Sequence, residues 1–263
     1  MRILVISDIH SNIWALDKVL ETEASWDRVC CAGDLVDYGT APREVIDTMR
    51  SLPNLWLVKG NHDVHTVNTW RQYQRGQVKP QDYKWVHHNC ERLDEERIDY
   101  LDRLPEHLVF EADGYEYLMQ HQYGLSYEVV ESRYQFEEYW KRYRKETREG
   151  LGRRMIFGHS HRQGIHVLKE DCLWLNPGSV SYRRPDDPDK TAHYIVIEDG
   201  RIMIKQVPYD RSRLLQEAVG FQKRQEMMET EIQDFYFFFG KAKTSRDPLP
   251  DIASFSPSKE GGQ

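Results

Sequence analysis

The chain has 263 residues, with 43 acidic and 36 basic side chains and a net charge of −7. That length suits one large α/β domain with insertions, or one domain plus a small cap, and is enough to bury a sizeable core. The acidic balance offers no global basic field for nucleic acid, and no apolar run reaches membrane-spanning length. Four cysteines, two of them adjacent at Cys30 and Cys31, give neither a disulfide framework nor a zinc-type spacing. They read as reduced and buried. A strand pattern begins at Arg2 with no signal-peptide pattern before it, so the expectation is a cytoplasmic protein.

Residues 2–7 are a continuous apolar run without alternation, the pattern of a strand covered on both faces. Ser11 or Asn12 can cap a helix over 13–22, with Ile13, Leu16 and Leu20 on one face. A second strand covers 27–32 and ends at Gly33-Asp34. Pro42 suits a first helical turn, and that helix runs to about Arg50. Leu55 to Val58 is a third strand, ending at Gly60-Asn61-His62-Asp63. The β-α-β-α-β order predicts a parallel sheet with right-handed crossovers. Residues 64–104 are rich in charge and aromatics, including Trp70, Tyr73, Tyr83 and Trp85, and their helical pattern breaks at Gly76 and Pro80. They read as a helical insertion that caps the ends of the strands, with His65, His87 and His88 as cap or surface residues. Asp113-Gly114 marks a hairpin turn between His107–Ala112 and Tyr115–Gln120. A second helical insertion covers 126–149, and a strand covers Met155 to Phe157. Two further hairpins follow, the second turning at Asp199-Gly200. This divides the chain into a main domain over 1–210, a helical extension over 211–239 and a flexible tail over 240–263.

Five short motifs stand where these strands end: Asp8-Ile9-His10, Gly33-Asp34, Gly60-Asn61-His62-Asp63, His121 and Gly158-His159-Ser160-His161. Each supplies carboxylate, imidazole or amide donors, and ligands of parallel sheets bind beyond the carboxyl ends of the strands. Two divalent cations about 3.5–4 Å apart can grip a phosphate and generate hydroxide between them. Such a site needs one bridging carboxylate, and Asp34 stands between the other donor sets. Mixed nitrogen and oxygen donors suit Mn, Fe, Zn or Ni more than Ca. The glycines at 33, 60 and 158 allow sharp turns from strand to loop.

The set DIH, GDLVDYG, GNHD, a histidine after a hairpin strand, and GHSH resembles the calcineurin-like metallophosphoesterase superfamily. Asn176-Pro-Gly-Ser-Val180, Arg183-Arg-Pro and Thr191-Ala-His-Tyr resemble its compact bacterial branch of small phosphodiesterases. The resemblance covers roughly residues 1–210, interrupted by the two insertions. It implies a four-layer α/β/β/α sandwich of two mixed β-sheets with helical cap insertions. It also implies one metal on Asp8, His10, Asp34 and His161, and a second on Asp34, Asn61, His121 and His159. His62 then lies beside the phosphate, stabilising the transition state and protonating the leaving oxygen, with Asp63 as the acid that orients it. Mn is the expected metal, with Fe, Zn or Ni as alternatives.

The protein Ser/Thr phosphatases and the dinucleoside tetraphosphatases related to them carry an Arg where this chain has Tyr38, and Glu where it has Asp63. Both differences point away from that branch. Gln122 follows His121 where many relatives carry Gly. The implied activity is hydrolysis of a nucleotide or other small phosphodiester by in-line attack of metal-generated hydroxide. The alternatives are a phosphomonoesterase or nucleotidase, and a non-catalytic interaction module on the same fold. No membrane or nucleic-acid partner is expected, and self-association stays open. The run Lys141–Lys145 has acidic neighbours and reads as a solvated helix. Arg183 and Arg184 either steer phosphate or coat the surface. The cluster Phe235–Phe239 is too apolar for water, and packing on its own domain is preferred over packing on a partner chain.

Overall fold

The apolar N-terminal run forms the central strand of a sheet. The computed structural model describes residues 1–73, 78–124, 126–144, 150–181, 184 and 190–251. In it, β1 (Arg2–Ile6) pairs in parallel with β2 (Arg28–Cys31), and β2 with β3 (Leu55–Leu57). The crossovers run through α1 (Ile13–Thr22), capped by the Asn12 side chain, and α2 (Pro42–Ser51), which has proline in its first turn. On its other edge β1 takes a strand of the last hairpin, antiparallel.

The second sheet begins with the hairpin of β4 (His107–Ala112) and β5 (Tyr115–Gln120). Its turn is Asp113 at φ 48° and Gly114 at φ 81°, both left-handed as the Asp-Gly pair demands. Next come β6 (Gly152–Ile156), β7 (Gly164–Lys169) and β8 (Cys172–Asn176), giving the order β4-β5-β6-β8-β7. β9 (Ala192–Glu198) and β10 (Arg201–Val207) return to the first sheet, whose order is β10-β9-β1-β2-β3. Each sheet has five strands and mixes parallel with antiparallel pairs.

Period-two alternation along β1 sends Ile3 and Val5 into one core and Leu4 and Ile6 into another. The first core lies between the sheets, where Ile3 and Val5 meet Tyr117, Met119, Ile156 and Leu175. The second lies under the helices, where Leu4 and Ile6 meet Leu16, Val45 and Ile46. α6 (Arg133–Tyr143) covers the far face of the second sheet with Phe136, Tyr139 and Trp140. The result is the expected four-layer α/β/β/α sandwich. β6 starts earlier than its apolar run, because its two arginines are paired. Arg153 donates to the Glu137 carboxylate at 2.6 and 2.8 Å, and Arg154 donates to Tyr117 Oη at 2.8 Å.

The segment 64–104 is helical, in α3 (Asn61–Gln72), α4 (Trp85–Arg92) and α5 (Glu95–Arg103). The break at Pro80 is a short 3₁₀ turn, and Gly76 lies outside the described residues. Trp70 packs on the core under the first sheet, and Tyr83 and Trp85 pack against α7 (Ser212–Arg224) and α8 (Glu229–Phe239). Phe235, Tyr236 and Phe239 are buried in that same cluster, so the aromatic run packs on its own chain. Lys141 pairs with Glu138 at 3.4 Å, as on an ordinary solvated helix face; Lys145, Glu146 and Glu149 lie outside the described residues. The tail is described to Asp251, and Gln222 Nε2 donates to Pro250 O at 3.1 Å, holding that part against α7. All four cysteines are free and buried.

Candidate metal centre

Each donor-bearing loop leaves the carboxyl end of a strand. Asp8 and His10 follow β1, Asp34 follows β2, Asn61 follows β3, His121 follows β5, and His159 and His161 follow β6. The donors themselves carry unusual backbone. Asp8 (φ 56°), His10 (47°), Asp34 (56°), His159 (62°) and His161 (55°) are all left-handed, a conformation that costs energy outside glycine. Of the three glycines expected to make the turns, Gly33 has φ +95°. Gly60 and Gly158 are required by close approach instead. A Cβ at Gly60 would overlap the Asp34 carboxylate, and one at Gly158 would overlap Ser7 Oγ.

The side chains converge in two groups that could each hold a metal: Asp8, His10 and His161, and Asp34, His121 and His159. In the first, His161 Nε2 lies 3.1 Å from Asp8 Oδ1 and 3.3 Å from His10 Nε2. In the second, Asn61 Oδ1 lies 2.9 Å from both His121 Nε2 and His159 Nδ1. The far nitrogen of His121, Nδ1, donates to Ala32 O at 2.7 Å, which fixes the ring with Nε2 turned toward Asn61 and Asp34. Asp34 Oδ2 lies between the groups, 3.1 Å from His121 Nε2 and 3.9 Å from His10 Nε2. It is buried and has no hydrogen-bond partner among the described residues. Its ion-pair partner in this structure is the His121 ring, and a divalent cation could take the place of that imidazole's proton. Burial opposes ionisation of Asp34, but His121, His62 and His10 outweigh it and hold the carboxyl well below the usual range. Burial likewise disfavours charge on His121, yet the Asp34 carboxylate pushes its pKa up to about 9. Burial, together with His121, lowers His159. The donor chemistry therefore fits divalent ions.

His62 is the second residue of α3, and its backbone N–H donates to Asp34 Oδ1 at 2.8 Å. The role read for its neighbour needs correcting. Asp63 accepts from the N–H groups of Gly60 (2.8 Å), Asp34 (3.0 Å), Leu35 (2.8 Å) and Val36 (3.3 Å). It clasps the loop after β2 to the start of α3. The carboxylate on the His62 ring is that of Asp37, with Oδ2 2.8 Å from Nδ1. The reason is geometric: consecutive residues on a helix do not face each other. The missed signal was the second acid of Gly33-Asp-Leu-Val-Asp37. Asp37 is held in turn by Asn89 of α4, whose Oδ1 accepts from Asp37 N at 3.1 Å and also from Ser11 Oγ. The Asn89 amide donates to Gly39 O at 2.9 Å and Trp85 O at 3.0 Å. The 64–104 segment thus braces the loops that carry the site.

A cleft of about 420 Å³ opens over Asp34, His62, His159 and His161. Tyr38, Tyr127, Ser160, Arg162, Arg184 and Phe238 complete its described wall, to which the described residues of 64–104 contribute none. Arg184 is buried and donates to Thr191 O at 3.3 Å; Arg183 lies outside the described residues. The Arg162 side chain is exposed and forms no ion pair among the described residues. Tyr127 and Phe238 were not singled out from sequence as site residues, because neither belongs to a motif.

Residues 1–199 match the model of the calcineurin-like phosphoesterase superfamily domain. An uncharacterized protein of Methanocaldococcus jannaschii is 30% identical over 240 residues, covering 82% of this chain and 91% of that protein. Two solved structures share the fold. One is a metallophosphoesterase from Sphaerobacter thermophilus, with TM-score 0.67 and 23% identity over 89% of this chain and 98% of that one. The other is a hypothetical protein from Pyrococcus horikoshii, with TM-score 0.67 and 15% identity over 91% and 98%. The chain belongs to the calcineurin-like phosphoesterase superfamily, a family of metal-dependent phosphoester hydrolases.

Proposed function

We propose that this protein is a phosphodiesterase working with two divalent ions, Mn first among them, that share Asp34. The observation that carries the reading is Asp34 Oδ2, buried between two donor groups. In this reading Asp8, His10, Asp34 and His161 hold one ion, and Asp34, Asn61, His121 and His159 hold the other. Bound there, such ions supply Lewis-acid polarisation of a phosphoryl oxygen and a nucleophile at neutral pH. His62 holds a proton for the leaving oxygen, and Asp37 on Nδ1 keeps the imidazole in the tautomer and orientation that can deliver it. Asp63 positions the loop from which Asp34 projects.

Preference for a diester is supported by Tyr38. Its ring lies 4.6 Å from that of His62, at the position where phosphatases carry an arginine. A monoester dianion gains more from an added cation there than a diester monoanion does. A cytoplasmic site of action also belongs to this reading, since unpaired cysteines suit a reducing compartment. The test is Mn-reconstituted protein with bis(p-nitrophenyl) phosphate and p-nitrophenyl phosphate, alongside metal analysis. The expected result is two ions per chain and a higher kcat/KM for the diester. A higher value for the monoester would make it a phosphatase. Full metal loading with no turnover of either ester would favour an interaction module.

A further inference from the structure

The cleft is larger than a phosphate group needs, and two of its walls come from outside the metal motifs. Tyr127 follows the His121 loop and is 73% exposed. Its ring is nearly parallel to that of His159, with centroids 5.1 Å apart and planes at 16°. Phe238 belongs to α8, beyond the residues that the family model matches. That helix is firmly placed. Phe235 and Phe239 are buried against α7 and Trp85, Lys190 Nζ donates to Phe237 O at 2.6 Å, and Arg211 Nη1 donates to Phe239 O at 2.8 Å. Phe238 thus reaches the cleft from a fixed backbone, while its neighbours anchor the helix.

We infer that Tyr127 and Phe238 form an aromatic subsite that takes a flat ring carried by the substrate's alcohol, as in an aryl or nucleoside phosphoester. This rests on the reading of the metal centre as the phosphoester site. Two considerations lead to a ring rather than an alkyl chain. Planar side chains offer π-faces that stack at low entropic cost, and a cleft of this volume is in the range of small-molecule pockets. An exposed tyrosine at the rim gains little from water but gains from stacking. The C-terminal helix is then part of the specificity apparatus of the phosphoesterase domain.

The test is calorimetric titration of the Mn-loaded protein with phenylphosphonate and methylphosphonate, whose C–P bonds are not hydrolysed. Wild type should bind the phenyl compound about tenfold more tightly, in line with ring stacking. Phe238→Ala and Tyr127→Ala should each erase most of that preference, and Phe238→Tyr, which keeps a ring, should retain it. Circular dichroism and metal content establish that each variant is folded and loaded. Equal or undetectable binding of the two phosphonates by wild type overturns the subsite. So does an unchanged preference in both alanine variants. The outcomes separate from those of the catalytic reading. A ring preference that the variants lose, without diester turnover, leaves the subsite standing and removes the diesterase. Diester turnover with no ring preference does the reverse.

Discussion

The two acids near His62 make opposite predictions. Asp37→Asn removes the negative charge 2.8 Å from His62 Nδ1 but keeps a carbonyl that can accept one hydrogen bond. The Asp37 side chain also accepts from Tyr38 N at 2.7 Å, which an asparagine oxygen can still do. The expected stability cost is therefore small, about 1 kcal/mol. The expected rate loss is roughly 10²–10⁴-fold on a diester with a poor leaving group, because the imidazole is no longer held as a proton donor. A p-nitrophenolate leaving group needs no proton, so ethyl p-nitrophenyl phosphate should lose much less than ethyl phenyl phosphate. Asp63→Asn turns an acceptor of four N–H groups into one that must aim an NH₂ at two of them. At about 1–3 kcal/mol for each unpaired group, the cost is about 2–6 kcal/mol of stability. That is a large part of what a domain possesses. Its molecules that remain folded and loaded should keep the wild-type leaving-group dependence. Urea unfolding and Mn-supported turnover of the two esters measure both quantities. If Asp63→Asn selectively loses the poor leaving group while Asp37→Asn does not, the assignment of Asp37 to His62 is wrong.

Other expectations follow from the same geometry. Asp34→Asn should sharply weaken at least one ion, read as metal per chain by elemental analysis; wild-type stoichiometry with a normal rate contradicts the bridge. Asn89→Ala should cost about 2–5 kcal/mol, because Asp37 N, Gly39 O and Trp85 O lose a buried partner; a midpoint shift under about 1 kcal/mol in urea would show that the brace is dispensable. Glu23 is buried, which opposes its ionisation, but Lys205, Tyr194 and Arg2 outweigh burial and lower its pKa. A lowered folded pKa contributes stability above the unfolded value of about 4.3 and loses it as pH falls through the folded value. Glu23→Gln should therefore be less stable than wild type at pH 7, with the gap closing at acid pH; a gap independent of pH would refute the charge network. Arg162→Gln should raise KM for anionic esters and weaken its salt dependence, and an unchanged salt profile would place that guanidinium outside the substrate's field.

What could be read from the chain, and what could not, divides along a physical line. Strands, crossovers and the two Asp-Gly hairpins are local, and the observed elements follow their patterns closely: the hairpin over 107–120 has the expected bounds. The donor residues were legible because each sits directly after a strand, and the paired sheets deliver those ends to one place. The partners of those residues are not local. Asp37 reaches His62 across 25 positions, and Asn89 reaches Ser11 across 78. No periodicity encodes such pairs. The family resemblance implies Asp63 as the acid that orients His62, and helix geometry turns its side chain elsewhere. The helical segment 64–104 is also tied to the fold by contacts distant in sequence. It starts beside the site, and the aromatic side chains of Trp70, Tyr83 and Trp85 pack in the cores. Part of the cleft wall comes instead from Tyr127 and from a helix more than a hundred residues further on, through the half-buried Phe238. Motifs therefore mark where the donor groups gather, and the rest of the cleft wall is set by long-range packing.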